Sequence, residues 1–399
     1  MRVAIYAGMF KKNQDGATKT LYELVNSLLE NGMEVGVWAF TVTPQERDGL
    51  QLYEIPSLPL PFYPEYKLSI PNREIKRQMD DFAPDVLHIT VPDLAGIYFM
   101  RYAYKRGIPV LTSYHTDFPS YLKSYRLGAL YKPAWRFFKW FYNKSKLVMA
   151  PTVEMIEKLN GHGIRNVKLW KRGIHLHHFS ARFRSPSLRK EWGALNKKVI
   201  LYSGRFVWYK DLRTFIQVYD LFKKSGDTNV LFVLAGDGPI AEELRQHMPD
   251  ALFTGYLEVD RLAEVYAGSD LLLFPSTTET FGNVVLEALS SGIPAVVSDV
   301  GGCKEIVKQS KGGLIAKAGD ARDFYMCCKE LLGNSSLYQR YRMNGLAFAR
   351  RQDWNAINNR VIHEYYAIAG SKSTKIKKTG RILVGNRLPE ERAGAAAVI

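Results

Sequence analysis

Short apolar runs alternate with longer amphipathic stretches along most of this 399-residue chain. Runs such as Val3–Gly8, Leu147–Ala150 and Val230–Ala235 are unbroken by charged residues, which is typical of strands buried on both faces. The stretches between such runs, for example Ala17–Glu30, repeat apolar residues at helical spacing. This alternation predicts an α/β fold in which parallel strands carry helices on both faces of the sheet.

The pattern of strand, turn and helix begins at Val3 and begins again at Val199, so we expect two doubly wound domains. Lys171–Lys198 has loop character and predicts the connection between them. The proline-rich, aromatic run Leu58–Pro64 is interpreted as an ordered irregular loop. The expected segments are a first Rossmann-like domain, the connection, a second Rossmann-like domain, a closing helix and a basic tail expected to be flexible: 1–172, 173–198, 199–350, 351–370 and 371–399.

The most informative stretch is Ser269–Gly302. Its apolar run Asp270–Phe274 predicts a buried strand, and the polar residues Ser276–Thr280 predict a loop. Gly282 and Asn283 then open a helix. This order places free backbone N–H groups at the carboxyl edge of a parallel sheet, where doubly wound folds hold phosphorylated ligands.

Two glutamates lie in this stretch, Glu279 in the loop and Glu287 inside the helix. Asn283 and Glu287 are four residues apart and therefore share one helix face. Glu287 can accept hydrogen bonds from hydroxyls of a ligand over the helix start, and Glu279 can reach the same ligand from the loop. For isolated glutamates, a solvated surface position is the commoner interpretation.

Two further turns follow predicted strands of the second domain. The turn 204–211 carries Arg205 and Lys210, which could stabilise the negative charge on a departing diphosphate or could be ordinary surface cations. Gly204 precedes this pair. Gly238 lies in the turn 236–239, which predicts either one wall of a nucleotide pocket or a plain turn.

Composition limits the class of protein. With 46% hydrophobic and 24% charged residues the chain suits a globular protein of two or more domains. It has no run of about 18 apolar residues and no secretory signal after Met1, so we expect a cytoplasmic protein. The three cysteines are expected to be reduced and buried. The net charge of +16 favours an anionic partner, whether nucleic acid, phosphorylated substrate or lipid surface.

Much of the excess charge falls in Arg101–Lys146, which has ten basic residues and one acid, Asp117. His115 follows a predicted strand and is expected at the carboxyl edge of the first sheet, although lone histidines are more often structural. Tyr131–Asn143 predicts a helix with a basic stripe opposite an aromatic side. Such a helix could lie on anionic lipid, or it could be a core helix with a basic outer face.

The composite motif of Glu279 and Glu287 with Thr280-Phe281-Gly282-Asn283 between them, then Gly292-Ile293-Pro294 and Gly301-Gly302, resembles the nucleotide-sugar signature of retaining glycosyltransferases of family 4. That family has the GT-B fold, in which two Rossmann-like doubly wound domains face a central cleft. The string His115–Pro119 is similar to a motif of members that glycosylate diacylglycerol-type and related glycolipids, such as mannosyl- and sulfoquinovosyl-type transferases. The resemblance covers roughly Met1–Gly370.

The resemblance implies roles for individual residues. Arg205 and Lys210 would stabilise the diphosphate, Glu279 and His115 would hold the sugar, and these four are the expected catalytic residues. Asp117 is expected on the acceptor side. The expected donor-binding residues are Gly16, Gly204, Gly238, Tyr256, Leu257, Phe281, Gly282, Asn283, Val284 and Glu287. The chain departs from the family in having Gly16-Ala17 where many members have two glycines, and His175 where they usually have aspartate.

The resemblance also implies an activity. We expect a retaining transferase that moves a hexosyl group from GDP-mannose or a UDP-sugar to a lipid-linked acceptor, such as a diacylglycerol-type glycolipid. It would need no metal or other cofactor, and Arg101–Lys146 would touch the anionic inner face of the cell membrane. The last helix would cross back to the first domain.

Three alternatives remain open at this point. They are a family 4 transferase acting on a polysaccharide or soluble sugar, a sugar-nucleotide epimerase of the same architecture, and a basic nucleic-acid-binding protein. The last has no nucleic-acid-binding signature in the sequence and leaves the two-glutamate motif unexplained.

Overall fold

The computed structural model describes residues 1–11, 16–60, 63–119 and 128–370. The strands are β1 (Arg2–Phe10), β2 (Glu34–Val42), β3 (Leu50–Glu54), β4 (Ser57–Leu60), β5 (Tyr63–Ser69), β6 (Val86–Ile89), β7 (Val110–Ser113), β8 (Leu147–Ala150), β9 (Val167–Leu169), β10 (Lys198–Ser203), β11 (Val230–Ala235), β12 (Leu252–Gly255), β13 (Leu271–Phe274), β14 (Ala295–Ser298) and β15 (Gly313–Ala316).

The helices are α1 (Gly16–Glu30), α2 (Arg73–Phe82), α3 (Leu94–Arg106), α4 (Tyr131–Tyr142), α5 (Val153–Gly161), α6 (Pro186–Glu191), α7 (Leu212–Lys224), α8 (Ala241–His247), α9 (Val259–Gly268), α10 (Asn283–Ser290), α11 (Gly302–Ser310), α12 (Ala321–Gly333), α13 (Ser335–Ala349) and α14 (Trp354–Ala369). Residues Met1–Ala369 form one compact unit. Among the described residues, no helix is long and apolar enough to span a lipid bilayer.

Two parallel sheets carry the fold. The first half of the chain forms a seven-stranded sheet in the order β3-β2-β1-β6-β7-β8-β9, and the second half forms a six-stranded sheet in the order β12-β11-β10-β13-β14-β15. Strand order reverses between β1 and β6 in one sheet and between β10 and β13 in the other. Ligands of doubly wound folds bind at such reversals, outside the carboxyl ends of the strands. The predicted α/β fold with two Rossmann-like halves is confirmed.

Side-chain caps set several helix boundaries in the first half. The side chain of Asn72 accepts from the N–H of Ile75 over 3.0 Å at the start of α2, and Asp93 accepts from Gly96 over 2.8 Å at the start of α3. These caps satisfy backbone N–H groups that have no partner inside the helix. These two side chains therefore fix where α2 and α3 begin.

The last helix, α14, packs on the first half. Its residues Val361, Ile362 and Tyr365 are buried in the same apolar cluster as Leu24 and Val25 of α1. The return of the closing helix to the first half therefore agrees with the contacts, while the exact segment boundaries stay a prediction.

The connection 173–198 contains more structure than the predicted loop. It includes α6, and two arginines fix it to the second sheet. Arg184 and Arg189 bind the buried carboxylate of Asp270 over 2.7 Å and 3.0 Å, and Asp270 also accepts from the N–H of Val199 over 2.8 Å. A buried carboxylate requires this number of donors to offset its lost hydration.

The prediction that Leu58–Pro64 forms an irregular loop is wrong. Ser57–Leu60 and Tyr63–Ser69 form an antiparallel pair, with residues 61 and 62 outside the described part. Pro59 pairs opposite Lys67 within it. A two-stranded ribbon consists only of edge strands, so a proline without an N–H group is tolerated there.

The aromatic side of α4 belongs to the protein core. Trp135, Phe138, Phe141 and Tyr142 are all buried in the cluster against the first sheet. Burying each of them releases water from a large apolar surface, which stabilises the fold by about 2 kcal/mol or more per ring. The interpretation of these aromatics as a lipid-facing side is therefore wrong, and the core-helix alternative holds for them.

The basic stripe of α4 remains outside. Lys132, Arg136 and Lys139 are exposed, and Trp140 keeps 44% of its surface accessible. Residues 120–127, which belong to the basic segment Arg101–Lys146, lie outside the described residues.

A buried histidine joins α14 to the first sheet. His88 on β6 is fully buried, and its ring contacts Tyr365 through Nδ1 over 2.7 Å and Ser113 through Nε2 over 2.9 Å. Burial lowers the pKa of His88 to about 3, because a protonated ring would lose its hydration.

We expect this histidine to make stability depend on pH. In the unfolded chain His88 takes up a proton near its ordinary pKa of about 6.5, whereas the folded protein excludes it until about pH 3. The unfolded state thus binds more protons, and stability is full above pH 6.5 and falls as the pH falls. At about pH 5 the loss from His88 is about 2 kcal/mol.

Urea unfolding of the full chain, followed by tryptophan fluorescence at about pH 7.5 and about pH 5, measures this loss. His88→Asn should remove about 2 kcal/mol of the difference between the two pH values. The exposed His247 serves as the control, since His247→Asn should leave the difference unchanged. Equal pH dependence in wild type and His88→Asn would contradict the prediction.

Candidate active site

Two loops meet at the carboxyl edge of the second sheet, where its strand order reverses. The turn 204–211 follows β10, and the loop 275–282 follows β13. The Lys210 ammonium forms an ion pair with Glu279 Oε1, and Thr278 Oγ1 donates to the carbonyl of Tyr209 over 3.3 Å. The structure thus joins two of the residues that the sequence assigned to catalysis. Arg205 lies in the same turn, where its carbonyl accepts from Tyr202 over 3.2 Å.

The loop 275–282 is held in shape by the start of α11. The N–H of Gly302 donates to the carbonyl of Glu279 over 2.7 Å. Gly282 has φ +97°, and a side chain there would overlap the Cys303 sulfur, so only glycine fits. Burial, and secondly the nearby Glu279, raises the pKa of the Cys303 thiol well above its ordinary value, so the thiol is a neutral packing group.

Glu287 is buried on α10 and has partners from both halves of the chain. Tyr266 donates its hydroxyl to Oε2 over 3.1 Å, and the ammonium of Lys19 on α1 lies 3.2 Å from Oε1. Burial, and secondly the adjacent Glu287, raises the pKa of Tyr266 well above its ordinary value, so the phenol stays a donor. A single carboxylate therefore links α1 of the first half to α9 and α10 of the second.

Gly16 lies where α1 approaches the start of α10. A Cβ atom at this position would stand 2.6 Å from Asn283 Nδ2, so a side chain here would displace the Asn283 amide. Two residues assigned to donor binding from opposite halves are thus neighbours. The contact of Gly16 with a phosphate stays a prediction.

His115 lies at the carboxyl edge of the first sheet, as expected from its place after β7. Its carbonyl oxygen accepts from the hydroxyl of Thr280 in the loop 275–282 over 2.7 Å. Its ring nitrogens contact Arg172 Nη2 over 3.1 Å and Ser113 Oγ over 2.7 Å. Burial, then the Arg172 charge and His88, lowers the pKa of His115 well below its ordinary value. The structure therefore brings His115 to the loop that carries Glu279.

Asp117 is buried in a polar network of its own. Its carboxylate accepts from the Tyr114 hydroxyl over 2.8 Å and forms an ion pair with Lys158. Both oxygens therefore have protein partners, which is the behaviour of a structural carboxylate. The acceptor-side role of Asp117 stays a prediction without support from these contacts.

The other residues predicted to bind the sugar donor differ in how far they are buried. Phe281 is buried in the core of the second half, and the partly buried Val284 packs against that core. A side chain at Gly238 would overlap the backbone of Phe206, which explains that glycine by a close approach of two turns. Tyr256 is 63% exposed beside the partly buried Leu257.

Sequence reasoning missed Lys19, Thr280, Tyr266 and Arg172 as members of this constellation. Lys19 follows Gly16 by three residues on the same helix, which was a usable signal. Arg172 had no local signal, because its partner His115 is 57 residues away. Among the described residues, no group of three or more histidine, cysteine or acidic side chains is arranged to hold a metal ion.

Two family models cover most of the chain. One for glycosyltransferase family 4 matches residues 14–178. One for glycosyl transferases group 1 matches residues 197–334. The chain belongs to glycosyltransferase family 4. It is a glycosyltransferase with the GT-B fold, and as in its family the donor is a nucleotide sugar.

The curated relatives are similar over most of their length. A GDP-mannose-dependent alpha-mannosyltransferase of Corynebacterium glutamicum is 28% identical over 375 residues, which cover 92% of this chain and 88% of the relative. The sulfoquinovosyl transferase SQD2 of Arabidopsis thaliana is 29% identical over 367 residues, which cover 89% of this chain and 71% of the relative.

Solved structures share the fold at low identity. Sucrose-phosphate synthase of Thermosynechococcus elongatus superimposes with a TM-score of 0.75 and 18% identity, covering 92% of this chain and 98% of that structure. Alr3699/HepE of Anabaena, solved in complex with UDP and glucose, gives a TM-score of 0.75, 18% identity and coverage of 92% and 100%. These likenesses support the GT-B architecture of the enzyme.

We expect Lys19 to support donor binding. Lys19→Gln would leave the Glu287 carboxylate without its cation, and a negative charge there would repel the anionic diphosphate of the donor. The donor KM should rise about tenfold, equivalent to about 1.4 kcal/mol, with a smaller change in kcat. Steady-state assays of nucleotide release measure both constants.

The control is Lys223→Gln on α7, since Lys223 is exposed and paired with Asp250 outside the site. In a double-mutant cycle, Lys19→Gln combined with Glu287→Gln should cost less than the sum of the two single changes. Additive effects, or an unchanged donor KM in Lys19→Gln, would show that the ion pair has no part in donor binding.

Proposed function

We propose that the enzyme transfers a hexosyl group, with retention of configuration, from GDP-mannose or a UDP-sugar to a lipid-linked acceptor such as a diacylglycerol-type glycolipid. The observation that carries the proposal is that Glu279, paired with Lys210, is followed directly by Thr280, which contacts His115 of the first half. The Thr280 hydroxyl bridges these groups by donating to the His115 carbonyl over 2.7 Å. The ion pair of the second half is therefore attached to the loop that contacts His115 of the first half.

The donor half of the reaction follows from the charges at this point. As the bond from the anomeric carbon to the diphosphate oxygen breaks, negative charge grows on the leaving group. Arg205 and Lys210 face that charge, together with the N-terminus of α10, whose N-cap residue Gly282 provides no side-chain cap. Fixed cations and helix-end N–H groups stabilise such charge because they need no reorganisation during the reaction.

Glu279 and Glu287 bind the neutral parts of the donor. In the proposed complex, Glu279 accepts from sugar hydroxyls while its pairing with Lys210 keeps the carboxylate in place. Glu287 accepts from the ribose hydroxyls, and Tyr266 and Lys19 hold it in orientation. Each carboxylate keeps a hydrogen-bond donor from the protein, so neither needs to change its orientation when the nucleotide sugar binds.

Retention is proposed to follow a front-face route. The acceptor oxygen attacks the anomeric carbon on the side from which the diphosphate leaves, and the departing phosphate oxygen takes the acceptor proton. A double-displacement route would need a free carboxylate as nucleophile on the opposite face. Asp117, the acid next to His115 in sequence, is held by Lys158 and Tyr114 and is not offered to the sugar.

The proposed donor and acceptor classes draw on the relatives. Three bacterial relatives are GDP-mannose-dependent alpha-mannosyltransferases. A relative from Streptococcus pneumoniae, 24% identical over 319 residues that cover 74% of this chain and 70% of its own, is an alpha-monoglucosyldiacylglycerol synthase. These names make GDP-mannose the first donor and diacylglycerol glycolipids the first acceptors to test.

The outer face of the first half supports the proposal of a lipid-linked acceptor. The exposed cations Lys132, Arg136 and Lys139 of α4 lie on one face of that helix. Trp140 and Leu130 are exposed by 44% and 50% beside them in sequence. Outward cations with exposed apolar side chains favour peripheral contact with an anionic membrane, which we propose is the cytoplasmic face of the cell membrane.

Transfer is tested with a panel of GDP- and UDP-sugars, each scored for nucleotide release and for glycolipid product. GDP-mannose or one UDP-sugar should give product only when a lipid acceptor is present. Lys210→Ala and Glu279→Ala should each lower kcat at least about a hundredfold, equivalent to about 2.7 kcal/mol, because they remove charge stabilisation and sugar binding.

Circular dichroism and thermal unfolding control for loss of fold in both variants. Product on a soluble sugar or polysaccharide but not on lipid would overturn the acceptor class. Conversion of the sugar nucleotide without any acceptor would instead identify an epimerase.

Membrane contact is tested separately with vesicles. Changing Lys132, Arg136 and Lys139 together to glutamine should weaken binding to anionic vesicles by roughly 3 kcal/mol, about a hundredfold in partition. Neutral phosphatidylcholine vesicles should bind neither protein. Sedimentation with vesicles measures the partition coefficient.

A matched control changes three exposed lysines of the second half, Lys223, Lys224 and Lys329, to glutamine. If the two triple variants lose binding equally, total charge and not the α4 face is responsible. If the wild-type enzyme does not bind anionic vesicles, the proposed membrane contact is overturned.

A further inference from the structure

Arg172 is a buried cation whose partners are unusual. It follows β9, and only 4% of its surface is exposed. Among the described residues, no carboxylate lies within ion-pair distance of its guanidinium. Nη1 donates to the carbonyl of Trp170 over 2.7 Å, and Nη2 contacts His115 Nδ1 over 3.1 Å. A buried charge without a counter-charge is costly, so its retention here calls for a role.

The contact with Arg172 determines where the proton of His115 lies. A guanidinium can only donate, so His115 Nδ1 must offer its lone pair. In the neutral ring the proton then lies on Nε2, which donates to Ser113 Oγ over 2.7 Å. Ser113 Oγ also contacts Nε2 of the buried His88 over 2.9 Å. The ring of His115 is thus a neutral Nε2–H tautomer held between two fixed partners.

We propose that Arg172 is a positioning residue for sugar transfer, which holds His115 neutral and oriented so that its carbonyl receives the Thr280 hydroxyl of the loop 275–282. The inference deepens the proposed function and rests on it in placing His115 at the donor sugar. Arg172 itself touches no substrate in this proposal. It acts through His115, a residue of the first half whose carbonyl accepts from the loop that carries Glu279.

Protonation of His115 would undo this arrangement. Both ring nitrogens would then be donors, and Nδ1–H would point at the donor Nη2 of Arg172. The groups nearest His115 from neighbouring elements are Arg172 and His88 on β6, and the Lys210–Glu279 pair is linked to it through Thr280. The charge nearest to His115 in sequence is Asp117, which pairs with Lys158 on α5.

Charge is the part of Arg172 that matters most for this effect. After burial, the Arg172 charge is the next largest cause of the low pKa of His115. Burial lowers the pKa of Arg172 itself to about 9, so it remains charged at neutral pH. Removing that charge should raise the pKa of His115 and let it protonate within the working range of the enzyme.

The test compares Arg172→Gln, which removes the charge, with Arg172→Lys, which keeps it. Proton–nitrogen correlation NMR on the full-length enzyme labelled with ¹⁵N-histidine reports tautomer and titration, with His115→Gln used to assign the signal. Wild-type His115 should be an Nε2–H tautomer that does not titrate down to about pH 5. In Arg172→Gln it should titrate nearer its ordinary pKa, and Arg172→Lys should restore the wild-type behaviour.

Activity supplies the second readout. In Arg172→Gln, kcat/KM should fall about tenfold between about pH 8 and about pH 5.5, relative to the wild-type profile, and Arg172→Lys should return the profile to wild type. Lys171→Gln is the matched control. The Lys171 side chain, next to Arg172 in sequence, donates to Gln309 over 3.1 Å and does not contact His115. It should leave the His115 titration unchanged.

A second variant keeps the test decisive if Arg172→Gln does not fold. Ser113→Ala removes the acceptor of the Nε2 proton but leaves Arg172 on Nδ1, so the tautomer should persist. An Nδ1–H tautomer in wild type or in Ser113→Ala overturns the proposal. The proposal is also overturned if His115 of Arg172→Gln titrates as in the wild type, or if the variant has the wild-type pH profile of activity.

The two proposals fail in different ways. If the enzyme transfers sugar but the titration of His115 is the same in Arg172→Gln as in the wild type, only the positioning role is overturned. An enzyme with the expected titration that transfers no sugar from any nucleotide sugar overturns the proposed function alone.

Discussion

The hydroxyl of Thr280 and the carbonyl of His115 are joined over 2.7 Å, and this contact ties the loop 275–282 of the second half to the first half. In the same loop, the Glu279 carboxylate pairs with Lys210, and the Glu279 carbonyl accepts from the N–H of Gly302. Parallel sheets make this possible because all their loops of one kind emerge at one edge. With both edges facing one cleft, a short loop can be held from three directions at once.

Buried charge explains much of the rest of the site. Glu287 and Asp117 each lie below the surface, and each is met by a lysine and a tyrosine hydroxyl. Such pairs add little net stability, because the lost hydration offsets the attraction. What they do provide is a fixed geometry. Arg172 differs in being answered by carbonyl oxygens and a neutral ring, so its field is not cancelled by a carboxylate.

The helix α4 shows how one pattern serves two surroundings. Its aromatic residues complete the core of the first half, while its cations stay outside. The two sides were visible as periodicity, but periodicity is equally compatible with a sheet or a lipid surface beneath the aromatics. Only the observed packing distinguishes a core helix with a basic face from a helix that lies on a membrane.

The sequence by itself determined the local elements and the main chemical motif. Leu147–Ala150 and Val230–Ala235 occupy the predicted bounds, because short unbroken apolar runs suit strands that are buried on both faces of a sheet. Arg205, Lys210, Glu279 and Glu287 were visible from a motif whose spacing follows from strand, turn and helix. Tertiary structure alone decided the partners: Lys19 meets Glu287 across 268 residues, and Arg172 meets His115 across 57. Local patterns record which face a side chain occupies, whereas its partner depends on how two separate sheets come together.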